Sequence, residues 1–320
     1  MKKMCLRLLS GVLVSLFLST GVQAAETLVP VGRVVGIEIE NDTVTIAAFE
    51  EGSPAKTAGL QKGDRILTID DRAIGSAADV KDALDRSGGS VRITVTRGQA
   101  FQSFRVEPQV TSQGPKLGIY LRQGVTGIGT VTYYDPDTGA FGALGHGVNT
   151  TGGELLELRS GRIWPARVAS VRKGRSGEPG QLMGSVTARE FCGTLRRNTP
   201  QGIFGNTGTS WPGQPLPVAE PDQVKTGKAF ILSTVTGDTP REYSVEILKV
   251  YPASRENGRN MLIRITDPQL LETTGGIVQG MSGSPLVQDG KLIGAVTHVL
   301  VNDPTMGYGI FIENMLEAAG

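Results

Sequence analysis

The stretch that decides the fold of this chain is GGIVQGMSGSPLVQDGKLIGAV, residues 275–296. Within it, Ser282 stands in the pattern Gly-x-Ser-Gly-Ser-Pro, and glycines on both sides permit a tight turn. Such a turn holds the serine hydroxyl out of the backbone and leaves neighbouring N–H groups free. Free N–H groups can stabilise the oxyanion of an acyl-transfer intermediate, so the pattern predicts a serine nucleophile.

The residues after this turn predict a hairpin. Two apolar segments, 286–288 and 291–296, flank Asp289-Gly290, which is a favoured two-residue hairpin turn. Trypsin-like peptidases carry Gly-Asp-Ser-Gly-Gly-Pro followed by strands in the same place. By that analogy, the oxyanion donors are the N–H groups of Gly280 and Ser282. Ser284 in the same loop is the rival nucleophile, and an ordinary glycine-rich turn is the non-catalytic alternative.

The chain has two histidines to serve as the general base. His146 lies in FGALGHG, residues 141–147, where glycines leave room for a second catalytic group or a substrate. Histidine is the natural proton acceptor near neutral pH. We therefore predict His146 as the base. His298, on a strand pattern after the hairpin, is the rival base, although packing near the site or the core is the simpler interpretation.

A carboxylate is expected to orient the histidine. The pattern of residues does not choose among the acids between His146 and Ser282. The candidates are Glu154, Glu157, Asp222, Asp238 and Asp267.

The second half of the chain reads as a β-domain. The 44 glycines in 320 residues favour short strands joined by tight turns. Strand patterns separated by turn residues recur through residues 116–320, as in a sandwich or a barrel. The predicted strands are 116–121, 129–134, 163–171, 229–235, 243–250 and 261–265. The polar segment 109–115 reads as a linker before this domain.

Residues 26–108 predict a small α+β module. Ser53-Pro54 starts a short helix, residues 76–84 form an amphipathic helix, and residues 91–97 alternate as a half-buried strand. The segment SPAKTAGLQKGDRILTIDDRAI, residues 53–74, resembles a PDZ domain. PDZ domains bind peptides at a sheet edge. We place the peptide-binding loop at Val35, Gly36 and Ile37, although this stretch lacks the usual double glycine. A PDZ that only packs on the catalytic domain is the alternative.

The first 25 residues have the layout of a secretory signal. Lys2, Lys3 and Arg7 precede an apolar run, and small residues precede Ala24. The run is short for a bilayer span. We expect a signal peptide or a retained membrane anchor in residues 1–25, and hence an exported protein.

Composition excludes several other classes. The net charge of +1 gives no concentrated basic patch for nucleic acid. Only two cysteines occur, and Cys5 lies in the leader, so Cys192 has no internal disulfide partner. Cysteine and histidine do not cluster with metal-ligand spacing, and we expect no metal and no cofactor.

Taken together, these motifs resemble the SpoIVB-type serine peptidases of endospore-forming bacteria, with a PDZ and an S55-type catalytic domain. The supporting stretches are FGALGHG (141–147), GRSGEPGQLMG (174–184), RITDPQLL (264–271) and residues 274–316. The resemblance implies a mainly β protein: a small α+β PDZ domain followed by a trypsin-like β-barrel serine peptidase domain. It also implies Ser282 as nucleophile, His146 as base and Asp267 as acid. One departure is VNTTGG, residues 148–153, where Asn149 and Thr150 stand in place of acidic residues.

The same resemblance implies a biological role. Such peptidases are exported into the space between forespore and mother-cell membranes. There they cleave a membrane-bound regulator of an intramembrane protease, and probably themselves, so that a late sigma factor is activated. A peptide ligand at the PDZ groove is expected, and nucleic acid is not.

Two other functions stay open from the sequence. The first is a non-catalytic PDZ-containing binding protein with a decayed peptidase domain, against which the intact histidine and serine motifs count. The second is an envelope quality-control peptidase, in which the PDZ usually follows the protease domain. Here the PDZ pattern comes first.

Overall fold

The computed structural model describes residues 27–150, 153–254 and 258–320. The leader expected at residues 1–25 lies outside these ranges, so it stays a prediction. Within the described part of the chain, no helix combines the length and apolar character that a bilayer crossing requires.

Strands dominate the described residues. They are β1 (Thr27–Pro30), β2 (Val34–Phe49), β3 (Arg65–Ile69), β4 (Arg72–Ala73), β5 (Val91–Arg97), β6 (Ala100–Val106), β7 (Gln109–Thr111), β8 (Gly114–Lys116), β9 (Ile119–Tyr134), β10 (Ala140–Ala143), β11 (Ser160–Arg172), β12 (Gln181–Val186), β13 (Gly193–Thr199), β14 (Gly202–Thr207), β15 (Leu216–Pro217), β16 (Gly227–Ser233), β17 (Arg241–Val250), β18 (Met261–Ile265), β19 (Pro285–Gln288), β20 (Lys291–Leu300) and β21 (Asp303–Phe311). The helices are α1 (Pro54–Thr57), α2 (Ala77–Asp85), α3 (Pro268–Thr274) and α4 (Ile312–Ala319), with a 3₁₀ turn at Pro221–Gln223.

Two antiparallel barrels form the catalytic half, as the trypsin-like expectation requires. The first closes through the pairings β2–β9–β10–β14–β13–β11 and back to β2. The second is the closed barrel β16–β17–β18–β21–β20–β19. Each barrel buries its own apolar cluster, around Ile163 and Ile203 in the first and around Ile231 and Ile263 in the second. The mainly β, trypsin-like fold is therefore confirmed.

The PDZ-like module is inserted into the first barrel rather than placed before it. Strands β2 and β9 each run through both units. Their outer parts pair with each other in the module, with Val44 opposite Gln123, and their inner parts pair in the barrel, with Ile37 opposite Gly127. The boundaries expected from the sequence are corrected accordingly: part of 26–108 belongs to the barrel, and part of 116–320 belongs to the module.

The supposed linker 109–115 is also structured. It forms most of the hairpin β7–β8, in which Gln109 pairs with Lys116. The expectation of an unstructured connection between two tandem domains is corrected, because the chain leaves and re-enters the barrel through paired strands.

The peptide-binding loop expected at Val35, Gly36 and Ile37 is likewise corrected. These residues are buried in the middle of β2 and are paired on both sides. Their partners are Pro165, Trp164 and Ile163 on β11 and Gly129, Ile128 and Gly127 on β9. A strand with two neighbours offers no free edge to a peptide, so this segment serves the barrel instead.

Local features of the module follow the sequence. The hydroxyl of Ser53 accepts a hydrogen bond from the N–H of Lys56, which caps α1. In β5, Val91, Ile93 and Val95 are buried while Arg92 faces solvent. The module has its own apolar cluster, which includes Leu84 of α2.

Candidate active site

The turn that carries Ser282 is held by backbone hydrogen bonds to the second barrel and within the turn itself. The N–H of Gly283 donates to the carbonyl of Val296 at 2.8 Å, and the N–H of Ser284 donates to the carbonyl of Met281 at 2.9 Å. Gly283 adopts a φ of +95°, and a Cβ there would lie 2.1 Å from the carbonyl oxygen of Thr130. Glycine is required at this position because a side chain would collide with backbone.

Ser282 and its rival Ser284 differ sharply in access. Ser282 is half-buried and lines a cavity of about 460 Å³. Ser284 is fully buried, and its hydroxyl is hydrogen bonded to that of Ser233 at 2.9 Å. Access favours Ser282 as the nucleophile.

Two backbone N–H groups beside Ser282 are free to bind an oxyanion. Within the described residues, the N–H groups of Gly280 and Ser282 donate no hydrogen bond, whereas Met281 donates to the carbonyl of Val278. Gly280 also lines the cavity. A pair of unengaged amides around a serine hydroxyl is the arrangement that stabilises a tetrahedral intermediate.

His146 lies in the same cavity as Ser282. Its Nδ1 is 2.9 Å from the carbonyl oxygen of Gly147. Because a carbonyl only accepts, Nδ1 carries the proton and Nε2 is left as the base. Burial lowers the pKa of His146, so the imidazole is neutral and able to accept a proton at neutral pH.

His298 is the second imidazole of the cavity. Its ring centroid is 5.3 Å from that of His146. Its Nδ1 is buried and has no hydrogen-bond partner among the described residues. Burial, with the nearby charges of His146 and Arg259, lowers the pKa of His298 to about 4. A ring without an orienting partner is less suited to act as base than His146, whose Nδ1 is anchored.

Thr130 of β9 ties the catalytic loops together, and the sequence contains no signal for this role. Its hydroxyl donates to the carbonyl of Gly280 at 2.7 Å, and its N–H donates to the carbonyl of Ser282 at 3.1 Å. Its own carbonyl accepts from the N–H of Leu144, just before His146. Only the folded register of β9 brings one threonine against both loops.

The hydroxyl of Ser282 has a resting partner. It donates to the carbonyl oxygen of Thr297 at 2.8 Å. For proton transfer, the hydroxyl must rotate from Thr297 towards Nε2 of His146. Such reorientation is ordinary in active sites without substrate.

Asp267, the acid implied by the resemblance, is not brought to His146. It is the N-cap of α3: one carboxylate oxygen accepts from the N–H of Leu270 at 2.9 Å, and the other accepts from the N–H of Ser244 at 3.4 Å. No hydrogen bond joins Asp267 to His146 in the described structure, and Asp267 does not line the cavity. The expectation that Asp267 orients the base is corrected: in this structure its carboxylate caps α3 and contacts Ser244 instead.

The other acidic candidates do not take its place. None of Glu154, Glu157, Asp222 and Asp238 lines the cavity that holds Ser282. Asn149, at the position where the resemblance leads one to expect an acid, does line it. The orienting acceptor on His146 in this structure is therefore the backbone carbonyl of Gly147.

The site offers no metal-binding cluster. In the ranges that the structure describes, no group of three or more His, Cys, Asp and Glu side chains could hold a metal ion. Cys192 is half-buried, and burial raises the pKa of its thiol to about 11, so it stays protonated and unreactive.

A second groove lies in the module, between α2 and the start of β9. This cavity of about 440 Å³ is lined by Val80 and Leu84 of α2 and by Leu117, Ile119 and Leu121. Here β9 pairs with β2 on one side, Ile119 opposite Phe49, and its other edge faces α2. A free strand edge beside a helix is where a peptide adds to a PDZ sheet. The sequence signal that was missed is Leu117-Gly118-Ile119, where Gly118 has a φ of +68°.

Comparison with known proteins gives matches to family models and to solved structures. The family model described as SpoIVB peptidase S55 matches residues 113–316, and a PDZ domain model matches residues 45–97. The Rv3671c protease of M. tuberculosis in its active form is similar in structure, with 16% identity over 61% of this chain and 75% of that one and a TM-score of 0.39. The PDZ domain of an SdrC-like protein from Listeria monocytogenes shows 26% identity over 25% of this chain and 87% of that one, with a TM-score of 0.23.

Curated relatives match over shorter stretches. A protein of Brucella suis biovar 1, whose description is that of a zinc metalloprotease, is 30% identical over 86 residues, which are 27% of this chain and 23% of that protein. Serine protease HTRA1 of Xenopus tropicalis is 33% identical over 57 residues, which are 18% of this chain and 12% of HTRA1. The chain thus spans less than a quarter of either relative. Because the S55 model covers more than half of the chain, and the fold carries both barrels and a PDZ module, the chain belongs to the SpoIVB peptidase S55 family of serine peptidases.

Proposed function

We propose that this protein is a serine endopeptidase that cleaves protein substrates by acyl transfer through Ser282. The observation that carries the proposal is one cavity that holds the Ser282 hydroxyl, a neutral His146 and the free N–H group of Gly280. These are the nucleophile, base and oxyanion donor of the reaction.

The proposed reaction has two halves. Nε2 of His146 accepts the proton of Ser282 as the hydroxyl oxygen attacks a peptide carbonyl, and the N–H groups of Gly280 and Ser282 bind the resulting oxyanion. The imidazolium then gives its proton to the leaving amine, which departs with the C-terminal part of the substrate. Water, deprotonated by the same Nε2, then attacks the acyl carbon, and the imidazolium returns the proton to Oγ of Ser282 as the acyl bond breaks. The carbonyl of Gly147 holds the imidazole in the required tautomer.

The biological setting is proposed from the family. We propose that the protein is exported and acts between the forespore and mother-cell membranes. Its substrate there is a membrane-bound regulator of an intramembrane protease, and it also cleaves itself. The groove between α2 and β9 supports recruitment of a peptide segment, because its free strand edge and apolar lining suit an extended chain.

The test uses a fluorophosphonate probe, which reacts only with an activated serine, together with self-cleavage of residues 26–320. Wild type is expected to react with the probe, and Ser282→Ala is not. The rate of self-cleavage is expected to fall by on the order of 10⁶-fold in Ser282→Ala. Ser284→Ala is the matched control in the same loop, and it is expected to react normally because Ser284 is buried. Equal self-cleavage by wild type and Ser282→Ala would remove Ser282 from the mechanism. A wild type that neither reacts nor cleaves would favour a non-catalytic binding protein.

A further inference from the structure

Two cavities meet at the loop that precedes Ser282. The first is the catalytic cavity of about 460 Å³, and the second, of about 370 Å³, extends from it towards β12. Four residues line both: Gly127 and Ile128 of β9, and Gln279 and Gly280 of the serine loop. The shared residues make the two cavities one groove, which runs past the oxyanion donor Gly280.

This groove contains no formal charge. No Asp, Glu, Lys or Arg is among the described residues that line either cavity. Its apolar lining residues are Ile37, Val125, Ile128, Leu144, Val148, Leu182 and Met183. The two histidines are neutral at neutral pH because burial lowers the pKa of each. A charged substrate residue in such a groove would lose hydration and gain no partner.

Ile128 and Gln279 each line both cavities, at the place where the two cavities join. Ile128 is half-buried, and its side chain packs towards Gly184 of β12. Gln279 is exposed, and its side chain makes no hydrogen bond among the described residues. Gln279 directly precedes Gly280, whose N–H is the proposed oxyanion donor, and both residues line the groove.

We propose that this groove selects an extended substrate segment whose residues flanking the scissile bond are uncharged and aliphatic, with Ile128 and Gln279 as the specificity-determining residues. The inference rests on the proposed peptidase function and specifies the substrate class of that site. Ile128 limits the size of the accepted side chain, and Gln279 leaves the groove without a countercharge.

The test reads cleavage sites by mass spectrometry in a proteome-derived peptide library. For wild type, Val, Ile, Leu and Ala are expected next to the scissile bond, with Asp, Glu, Lys and Arg depleted. Gln279→Glu is expected to raise cleavage beside Lys and Arg by about two- to fivefold, the range of an exposed charge pair, and Gln279→Lys is expected to do so beside Asp and Glu. Ile128→Ala is expected to admit Phe and Tyr, because it enlarges the groove.

Thr126→Lys is the matched control. Thr126 is exposed on the same strand as Ile128 and lines neither cavity, so its new charge is expected to leave the cleavage profile unchanged. Reaction with the fluorophosphonate probe is measured for each variant, because it reports the nucleophile independently of peptide sequence. Variants that react with the probe and keep the wild-type profile would overturn the specificity proposal and leave the peptidase function standing. A wild-type preference for charged residues at these positions would also overturn it.

Discussion

The carboxylate of Asp267 joins two elements outside the catalytic cavity. It caps α3 through Leu270 and accepts a second hydrogen bond from Ser244 of β17. The C-terminal end of α3 leads through Gly275 into the loop that carries Ser282. From this geometry we predict that Asp267 positions the loop and does not contact the base.

The replacement Asp267→Asn distinguishes a role in capping α3 from a role in orienting the catalytic histidine. Asparagine caps helices about as well as aspartate, so we expect Asn to keep kcat within about tenfold, while Asp267→Ala loses about 1 kcal/mol of stability and more activity. An acid that orients the catalytic histidine behaves differently, since its Asn variant loses about 10⁴-fold in kcat. Peptidase kinetics and thermal unfolding of both variants make the comparison.

The pH profile of kcat/KM supplies the control for this prediction. Because burial lowers the pKa of His146, the acid limb of the wild-type profile is expected below pH 6.5, where an ordinary imidazole would already be protonated. Removing a carboxylate that stabilises the imidazolium would lower that pKa further and move the limb to still lower pH. An acid limb that is unchanged in Asp267→Asn supports a role in positioning the serine loop. An acid limb displaced to lower pH would instead show that Asp267 orients His146.

The residues of the candidate active site differ in how well the sequence predicts their roles. Ser282 and His146 stand out because glycines bracket them, and glycine next to a polar side chain marks a tight, accessible turn. Asp267 carries no local sign of its partner, because capping and catalysis use the same carboxylate. Thr130 carries none at all, since its contacts with Gly280 and Ser282 join segments that are distant in sequence.

At the scale of elements, the serine turn depends on the close approach of β9. The carbonyl of Thr130 and the N–H of Leu144 both lie where a side chain on Gly283 would go, at 2.1 and 2.5 Å from an added Cβ. Both atoms belong to the backbone and cannot give way cheaply. The turn and the first barrel are therefore fitted to each other at one glycine.

We expect Gly283→Ala to disrupt this fit. Left-handed strain alone costs about 1–3 kcal/mol, and the collision with backbone adds to it, so both the melting temperature and the reaction with fluorophosphonate should fall steeply. Gly290→Ala is the matched control: its φ of +76° carries the same kind of strain, but nothing lies within 4 Å of the added Cβ. A Gly283→Ala protein as stable and reactive as Gly290→Ala would contradict the close approach.

Elements fixed by local chemistry follow from the sequence, and the strand order does not. The cap at Ser53, the alternation of β5 and the Asp289-Gly290 turn all match their patterns, because each depends on a few neighbouring residues. The sequence pattern predicts the peptide groove at Val35–Ile37, because these residues form the first strand pattern of the module. Which strand faces α2 is decided by long-range pairing.

At the scale of the whole molecule, the decisive feature is the insertion of the PDZ domain between β2 and β9. The first barrel takes β2 from one side of the insertion and β9 from the other. β2 also pairs with β11, so its loss would leave β9 and β11 with open edges. The catalytic half is therefore discontinuous in sequence.

This arrangement predicts how truncated chains behave. Residues 116–320 alone lack β1 and β2, so we expect an aggregating protein that does not react with fluorophosphonate. Replacing residues 41–123 by an Asn-Gly turn keeps all strands of the first barrel, and we expect that variant to fold and react. Solubility, circular dichroism and probe reaction distinguish the two. A soluble, reactive 116–320 chain would instead support two domains in tandem.

The insertion also has a consequence for the order in which the chain is made. During synthesis β2 leaves the ribosome first, and its partner β9 follows only after strands β3–β8 of the PDZ domain have been produced. Because domains generally fold as units, we expect the PDZ core to close around the outer parts of both strands, where Val44 meets Gln123, before the rest of the barrel forms. From that starting point the strands can pair inwards towards Gly127 without a further search. We therefore expect the PDZ domain to promote assembly of the barrel, in addition to the peptide binding proposed for it.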